Sequence, residues 1–397
     1  MDNQNCSCTN EKKRPTAETT ENPDCSCREN QPDQVINAVS CCQMLPTQPS
    51  GNTVTRAGRN AHWIIGEIDT PIGIVPVIAP SLNKKDILDG WKVRWGINRM
   101  NYKINPGLYG MGSPDQDSPI LVSCNYKLSF DALRKELTGL NVWILVIDTN
   151  GINVWCAAGK GSFGIKEIVA RLIGTRLKEI VSHRKIILPQ LGASGVKAQA
   201  VFKESGFRVI YGPIRARDIK AFLEADMMIS DSMRTVSFTL YDRLVLTPIE
   251  LVGTIKQSLM IFGVLLLLNF VVKEPFGLID VGAYVGAVLT GCVLTPVLLP
   301  VIPGRAFAFK GWLLGLMGTL AIIAFSHQTI SSGISLVGLF GYLLIFPAIA
   351  AYYAMNFTGS STFTSHSGVQ KEMRVAVPGL LFSIGAGGLL LLISHLF

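Results

Sequence analysis

The strongest constraint on this chain is where its charges stop. From Gln257 to Phe397 only eight residues are charged (Lys273, Glu274, Asp280, Arg305, Lys310, Lys371, Glu372 and Arg374), against 56 in the first 256. Within that C-terminal stretch lie five apolar segments: Gln257 to Val272, Val281 to Ile302, Phe307 to Phe325, Ser332 to Met355 and Ala376 to Phe397. Four have the length a bilayer demands, and the first reaches it by extending back past Lys256, whose side chain can snorkel. Five membrane spans over residues 248–397 are therefore expected. Arg305 and Lys310 flank the second-to-third connection and Lys371 and Arg374 the fourth-to-fifth. The positive-inside rule then puts the residues before the first span in the cytoplasm and the C-terminus outside, as expected of a multi-pass inner-membrane protein. Pro296, Pro300, Pro303 and Pro347 should kink or break spans. His327, His366 and His395 fall at span edges, where solvated imidazoles are expected. No intramembrane charge array of the kind transport requires is visible, which disfavours a transporter.

The water-soluble part divides again. Residues 1–56 are rich in Asn, Gln, Thr, Pro and Glu and too poor in large apolar groups to offset ordering entropy, so a disordered tail is expected. Six of the nine cysteines (Cys6, Cys8, Cys25, Cys27, Cys41 and Cys42) fall in it as close pairs. Their spacing fits no zinc or iron–sulfur pattern, although thiolate pairs can bind a thiophilic metal ion. With an odd cysteine count and no visible signal peptide, reduced cytoplasmic thiols are expected. The net charge of +8 is modest. It comes without a dense basic block or an aromatic-interleaved stripe, so no nucleic-acid partner is expected and the basicity suits an anionic membrane face.

Residues 57–247 read as an α/β domain. Trp63 to Ile68, Ile72 to Val77 and Lys92 to Trp95 read as short strands, with turn clusters at Pro106-Gly107 and Gly110 to Pro114. An alternating pattern follows: strand Ile120 to Cys124, a helix Ser129 to Leu137 capped by Ser129, and strand Val142 to Ile147. Helix Phe163 to Val181, strand Lys185 to Leu188, helix Val196 to Glu204 and strand Phe207 to Tyr211 complete it. Such alternation predicts a Rossmann-like, largely parallel sheet with its ligand at the carboxyl ends of the strands. Those ends are small, glycine-bearing and weakly charged: Asn125, then Asp148 to Gly151, Pro189 to Gly195 and Gly212 to Arg215. Backbone at such ends can approach a large flat ligand, though glycines after strands also simply make turns.

After the strand Val142 to Ile147 comes Asn153-Val154-Trp155-Cys156-Ala157-Ala158-Gly159-Lys160. Asn153 can cap a short helix that Gly159 ends, which puts Cys156 about one turn inside it. A helix N-terminus favours the thiolate that nucleophilic or metal-ligand chemistry uses; the bland alternative is a small buried hydrophobe. A P-loop is excluded, because Val154 stands where that motif needs glycine and Gly161 where it needs Ser or Thr. A cysteine hydrolase would need a histidine base, and His183 in a helix-end loop is a poor candidate.

This octapeptide resembles the cap-helix signature of the membrane-bound corrinoid protein of bacterial and archaeal mercury methylation. The soluble domain of that family is similar to the corrinoid domain of the acetyl-CoA pathway corrinoid iron–sulfur protein. The resemblance runs from about Ile64 to the C-terminus and includes Lys92-Val93-Arg94-Trp95-Gly96, Asn125-Tyr126-Lys127-Leu128 and Pro189-Gln190-Leu191-Gly192. It implies a cobalamin-type corrinoid lying base-off across the strand ends, with the Cys156 thiolate as lower axial ligand to cobalt. The corrinoid contacts implied are Asn125, Thr149, Gly151, Asn153, Val154, Trp155, Ala157, Ala158, Gly159, Lys160, Gln190, Leu191, Gly192, Ala193, Gly195, Gly212, Pro213 and Ile214. It further implies transfer of the cobalt-bound methyl group to Hg(II), as carbanion or radical. The implied partners are a ferredoxin-like iron–sulfur protein as electron donor, since the relative's cluster domain has no visible counterpart, and a methyltetrahydrofolate-linked methyl donor. Two alternatives stay open: a corrinoid methyl carrier of one-carbon metabolism with another acceptor, and a membrane-anchored thiol metal-binding protein.

Overall fold

The computed structural model describes residues 61–397 apart from 330–333, 361–362 and 364–365. The expected tail over residues 1–56, with its cysteine pairs, lies outside the described residues. The α/β domain is built on strands β1 (Ile64–Thr70), β2 (Gly73–Ile78), β3 (Gly107–Met111), β4 (Ile120–Cys124), β5 (Val142–Ile147), β6 (Lys185–Pro189) and β7 (Arg208–Gly212). They form one seven-stranded sheet in the order β1-β2-β3-β5-β4-β6-β7. Strands β5, β4, β6 and β7 run parallel, as do β2 and β3, while β1 is antiparallel to β2 and β3 to β5. The sheet is thus mixed and mostly parallel.

Strands β4 and β5 are buried along their whole length, which matches their unbroken apolar runs and requires cover on both faces. Helices α1 (Lys84–Arg94), α2 (Lys127–Arg134), α3 (Val154–Lys160), α4 (Ile165–Gly174), α5 (Ala198–Ser205) and α6 (Ile219–Glu224) supply it. Alternation along β5 divides the core. Trp143, Leu145 and Ile147 pack with Ala157, Ile168, Leu172 and Val201 on one face. On the other, Val142, Ile144 and Val146 pack with Phe130, Ile219 and Phe222. The rings of Trp63, Tyr109 and Phe130 also meet pairwise at 5.2 to 5.8 Å, each pair adding about 0.5–1.5 kcal/mol beyond area burial.

The elements before β7 differ from expectation in four places. Lys92 to Trp95 is the last turn of α1 and the bend after it, not a strand: Asn83 caps the helix, accepting the Asp86 N–H at 2.8 Å while Asp86 accepts that of Asn83. Of the expected turn clusters, Gly112 and Ser113 do bend the chain after strand β3, while Gly107, Gly110 and Met111 belong to the strand itself. Gly110 serves a close approach there, since a Cβ would sit 2.9 Å from the Ile68 side chain. Helix α2 starts at Lys127, so Ser129 is not its cap, and a separate 3₁₀ turn covers Lys135–Leu137. Finally, Phe163 to Val181 is not one helix: α4 ends at Gly174, Arg176 is left-handed at φ 46°, and a 3₁₀ turn follows.

Between α1 and α2 lies an ion cluster that no local sequence pattern announces. Lys127 Nζ donates to Asp86 at 2.9 Å and to Asp131 at 2.6 Å; Arg134 donates to both carboxylates at 2.7 Å. Burial opposes the charge on Asp86, but hydrogen bonds from Lys127 and His62 outweigh it and hold its carboxyl well below the usual range.

The remaining helices are α7 (Leu240–Leu244), α8 (Thr247–Leu268), α9 (Leu278–Leu289), α10 (Thr295–Leu298), α11 (Phe307–Thr329), α12 (Leu336–Asn356) and α13 (His366–Leu396). A π-helical stretch, Thr290–Leu294, joins α9 to α10. Among the described residues five segments are long and apolar enough to cross a bilayer: Leu240–Leu268, Leu278–Leu298, Phe307–Phe325, Leu336–Asn356 and Ser367–Leu396. Pro347 sits inside α12 without ending it. His395 is not the solvated imidazole expected. Its ring packs 4.1 Å from that of Phe276, and it lies 3.6 Å from Asp280, which accepts the Tyr342 hydroxyl at 2.6 Å. The last turn of α13 folds back onto the loop after α8, and the sequence gives no local sign of that.

Candidate functional site at the carboxyl ends of the strands

The loop from β5 to α3 is organised by one buried amide. Asn125 Oδ1 accepts from Thr149 N at 3.0 Å, Thr149 Oγ1 at 2.9 Å and Gly151 N at 3.0 Å, while its Nδ2 donates to Asp148 at 2.8 Å. Asn150 and Gly151 are both left-handed, at φ 57° and 73°, which turns the chain sharply into the helix. Asn153 Oδ1 then accepts the Cys156 N–H at 2.9 Å, the expected cap. The helix ends one residue beyond Lys160, at left-handed Gly161 (φ 81°), and not at Gly159.

The two sides of α3 differ. Ala157 and Ala158 are buried against the core, whereas Trp155, Cys156, Gly159 and Lys160 are exposed. The loop after β6 supports the buried side. A Cβ on Gly195 would lie 2.5 Å from the Phe163 carbonyl and 3.0 Å from Ala158, so glycine there lets the loop pass close under α3. Gly192 abuts the Phe163 ring, and Gln190 and Ala193 are half-buried beside it.

Next to α3 opens a cleft of ≈ 390 Å³. Of the expected residues, Asn153, Val154, Trp155, Leu191, Gly212, Pro213 and Ile214 line it. Asn125, Thr149 and Gly151 do not; they shape the loop. Ser123, Ser129 and Arg215 also line the cleft and were not expected as contacts. Ser129 is the third residue of α2 and not its cap. Arg215 makes a two-point ion pair with Asp242 of α7 at 2.9 and 2.6 Å. That guanidinium holds the Asp242 carboxyl down at about 2, against the smaller opposing effect of burial. The cleft wall is therefore tied to the first membrane-entering element.

Two thiols lie near the site in contrasting states. Cys124, at the end of β4, is buried, and burial pushes its thiol up. Cys156 is exposed. His183 bonds Ser118 O at 3.0 Å near the amino ends of β4 and β6, at the far edge of the sheet from Cys156, so the two form no dyad. Among the described residues no group of three or more His, Cys, Asp or Glu side chains could hold a metal ion.

The α/β domain has relatives among known proteins. Residues 77–223 match the family model for the CO dehydrogenase/acetyl-CoA synthase delta subunit. The chain is 30% identical over 128 residues to the acetyl-CoA decarbonylase/synthase complex subunit gamma of Archaeoglobus fulgidus, covering 32% of this chain and 27% of that protein. The Methanocaldococcus jannaschii subunit gamma is 37% identical over 93 residues, 23% of this chain and 19% of its own. The corrinoid/iron–sulfur protein large subunit of Moorella thermoacetica is 28% identical over 127 residues, 32% of this chain and 28% of its own. The α/β domain is a distant homologue of these subunits. The chain spans about a quarter of their length, and the match to the family model ends at residue 223, before the first of the five apolar helices.

Proposed function

We propose that this chain is a membrane-anchored corrinoid methyltransferase that passes a methyl group to Hg(II), with Cys156 as the protein ligand to cobalt. The observation that carries the reading is the exposed Cys156 on a capped two-turn helix, in a domain homologous to part of a corrinoid/iron–sulfur protein. The residues suit such a cofactor. A corrin ring would bring its own nitrogen donors to cobalt, so one soft thiolate from the protein would be enough; among the described residues no group of three or more His, Cys, Asp or Glu side chains could hold a metal ion by itself. The thiol stands on the outward face of α3, and the adjoining cleft is walled by small or apolar groups such as Ser123, Ser129, Gly212 and Pro213, suited to a narrow appendage of a larger ligand.

When bound, the corrinoid supplies a transferable methyl group on cobalt, and a thiolate ligand makes that methyl more electron-rich. The chain's residues orient. Asn153 fixes the start of α3 and thus the direction of Cys156, while Asn125 locks the preceding loop. Gly192 and Gly195 let the β6 loop pack close beneath. Trp155, 41% exposed, offers an apolar surface beside the thiol. A ferredoxin-like iron–sulfur donor and a methyltetrahydrofolate-linked methyl source are the partners proposed, with the α/β domain on the cytoplasmic side of the inner membrane.

The names of the relatives favour a second reading, a methyl carrier of one-carbon metabolism with another acceptor. Purified full-length protein, loaded with a methylated corrinoid and offered Hg(II) beside other acceptors, separates the two. Methylmercury formed in preference supports the proposal; transfer only to a carbon-metabolism acceptor rejects it.

A further inference from the structure

The membrane bundle contains a cavity of ≈ 950 Å³ between the loop before α11, the first turn of α11 and the first turns of α13. It lies at the end of the bundle nearest the α/β domain. Phe238, just before α7, meets the rings of Phe357 and of Phe363, the latter a wall residue of the cavity.

Its chemistry is that of a cationic mouth on an apolar hollow. Arg305, Lys310 and Lys371 line it against one carboxylate, Glu372, and that carboxylate already accepts the Ala308 N–H at 2.6 Å. Lys310 is only 9% exposed, and its Nζ donates to a neutral acceptor, the Leu299 carbonyl, at 2.6 Å. Among the described residues no carboxylate pairs with it, nor with Arg305 or Lys371. A buried ammonium without a counter-charge carries a desolvation penalty of several kcal/mol, which a bound anion would relieve. The first turn of α11 adds the positive end of its dipole. The other walls, Phe309 and Val375 among them, are apolar and would be wasted on a free inorganic anion.

We propose that this cavity binds an anionic phospholipid. The phosphate is held by Arg305, Lys310 and Lys371, and the upper acyl carbons lie against Phe309, Phe363 and Val375. A cavity of this size takes a whole headgroup and glycerol. The lipid would then sit under the Phe238 linker, where the α/β domain meets the bundle.

The test uses the full chain purified in mild detergent, with bound lipid read by native mass spectrometry and stability by thermal unfolding. Phosphatidylglycerol is expected to remain bound and to raise the unfolding midpoint, while phosphatidylcholine and inorganic phosphate do neither. The double variant Arg305→Gln/Lys371→Gln, at exposed positions that leave the fold intact, should bind phosphatidylglycerol weaker by a factor on the order of ten or more. Lys310→Gln should weaken it further. Equal retention of phosphatidylcholine, stabilisation by inorganic phosphate as strong as by the lipid, or undiminished phosphatidylglycerol binding in the double variant would each overturn the proposal.

Discussion

Between α1 and α2, Asp86, Lys127, Asp131 and Arg134 are sealed from water and satisfy one another, two carboxylates against two cations. At α3, by contrast, the thiol of Cys156 stands exposed on a helix capped by Asn153, whose side-chain oxygen accepts the Cys156 N–H, and positioned by the Asn125-ordered loop before it. The first region holds more charge, yet it is the worse candidate for chemistry, because each of its groups is already engaged. The second has one reactive atom left free and a backbone that cannot easily move away from it. Lys127 belongs to the first region and Asn125 to the second, although they are two residues apart. One short segment after β4 therefore braces both.

If this division holds, substitutions on the two sides should separate activity from stability. The largest effect expected is from Cys156→Ala, which should abolish methylmercury formation. It should also leave the unfolding midpoint nearly unchanged, since an exposed side chain away from other partners is worth within about 0.5 kcal/mol. Activity assayed in membranes beside thermal unfolding checks both halves. Arg134→Met should do the reverse. Removing the guanidinium breaks two buried ion pairs and leaves both carboxylates to share the Lys127 ammonium; breaking such a pair costs about 3–5 kcal/mol, so folded protein should fall sharply while whatever folds keeps its activity per bound corrinoid. Expression level and denaturant unfolding would show it. A smaller loss, about 1 kcal/mol, is expected for Asn153→Ala, with Asn153→Ser recovering most of it because serine also caps; corrinoid retention after gel filtration reads the outcome.

The smallest effect concerns the tie between the cleft and α7. Asp242 has its carboxyl lowered from 3.8 to about 2 by Arg215. A carboxylate stabilised in the folded state contributes fully above its unfolded value and loses that contribution as pH falls through its folded one. The Arg215–Asp242 pair should therefore be intact above pH 3.8 and fade as pH drops towards about 2. Asp86 titrates in the same direction, so the informative quantity is the difference between the wild type and Asp242→Asn in unfolding midpoint across that range. A difference that does not change with pH would remove the tie from the account.

Much of this was legible from residue order, and the failures have physical causes. Strands β4 and β5 could be read because burial on both faces demands an unbroken apolar run, and α3 because its cap is local. Helix α1 could not, since its pattern is inverted: Ile87, Leu88 and Trp91 face outward while Asp86 is buried. Nothing within eleven residues announces that Asp86 answers Lys127 and Arg134, more than forty positions away. Strand β3 was hidden by glycines that resemble turn formers but serve close packing. At the site, the cap helix and the Gly212 to Ile214 wall were foreseen. Asn125 and Thr149 hold the loop by hydrogen bonds and do not line the cleft, and Arg215, which does line it, was not foreseen because its partner lies 27 residues on.

Cobalt X-ray absorption on the full-length chain reconstituted with a corrinoid, compared with Cys156→Ala treated identically, probes the central claim most directly. The account predicts sulfur in the cobalt coordination shell of the wild type and its loss in the variant. A wild-type shell without sulfur, or one that the substitution leaves unaltered, would contradict it.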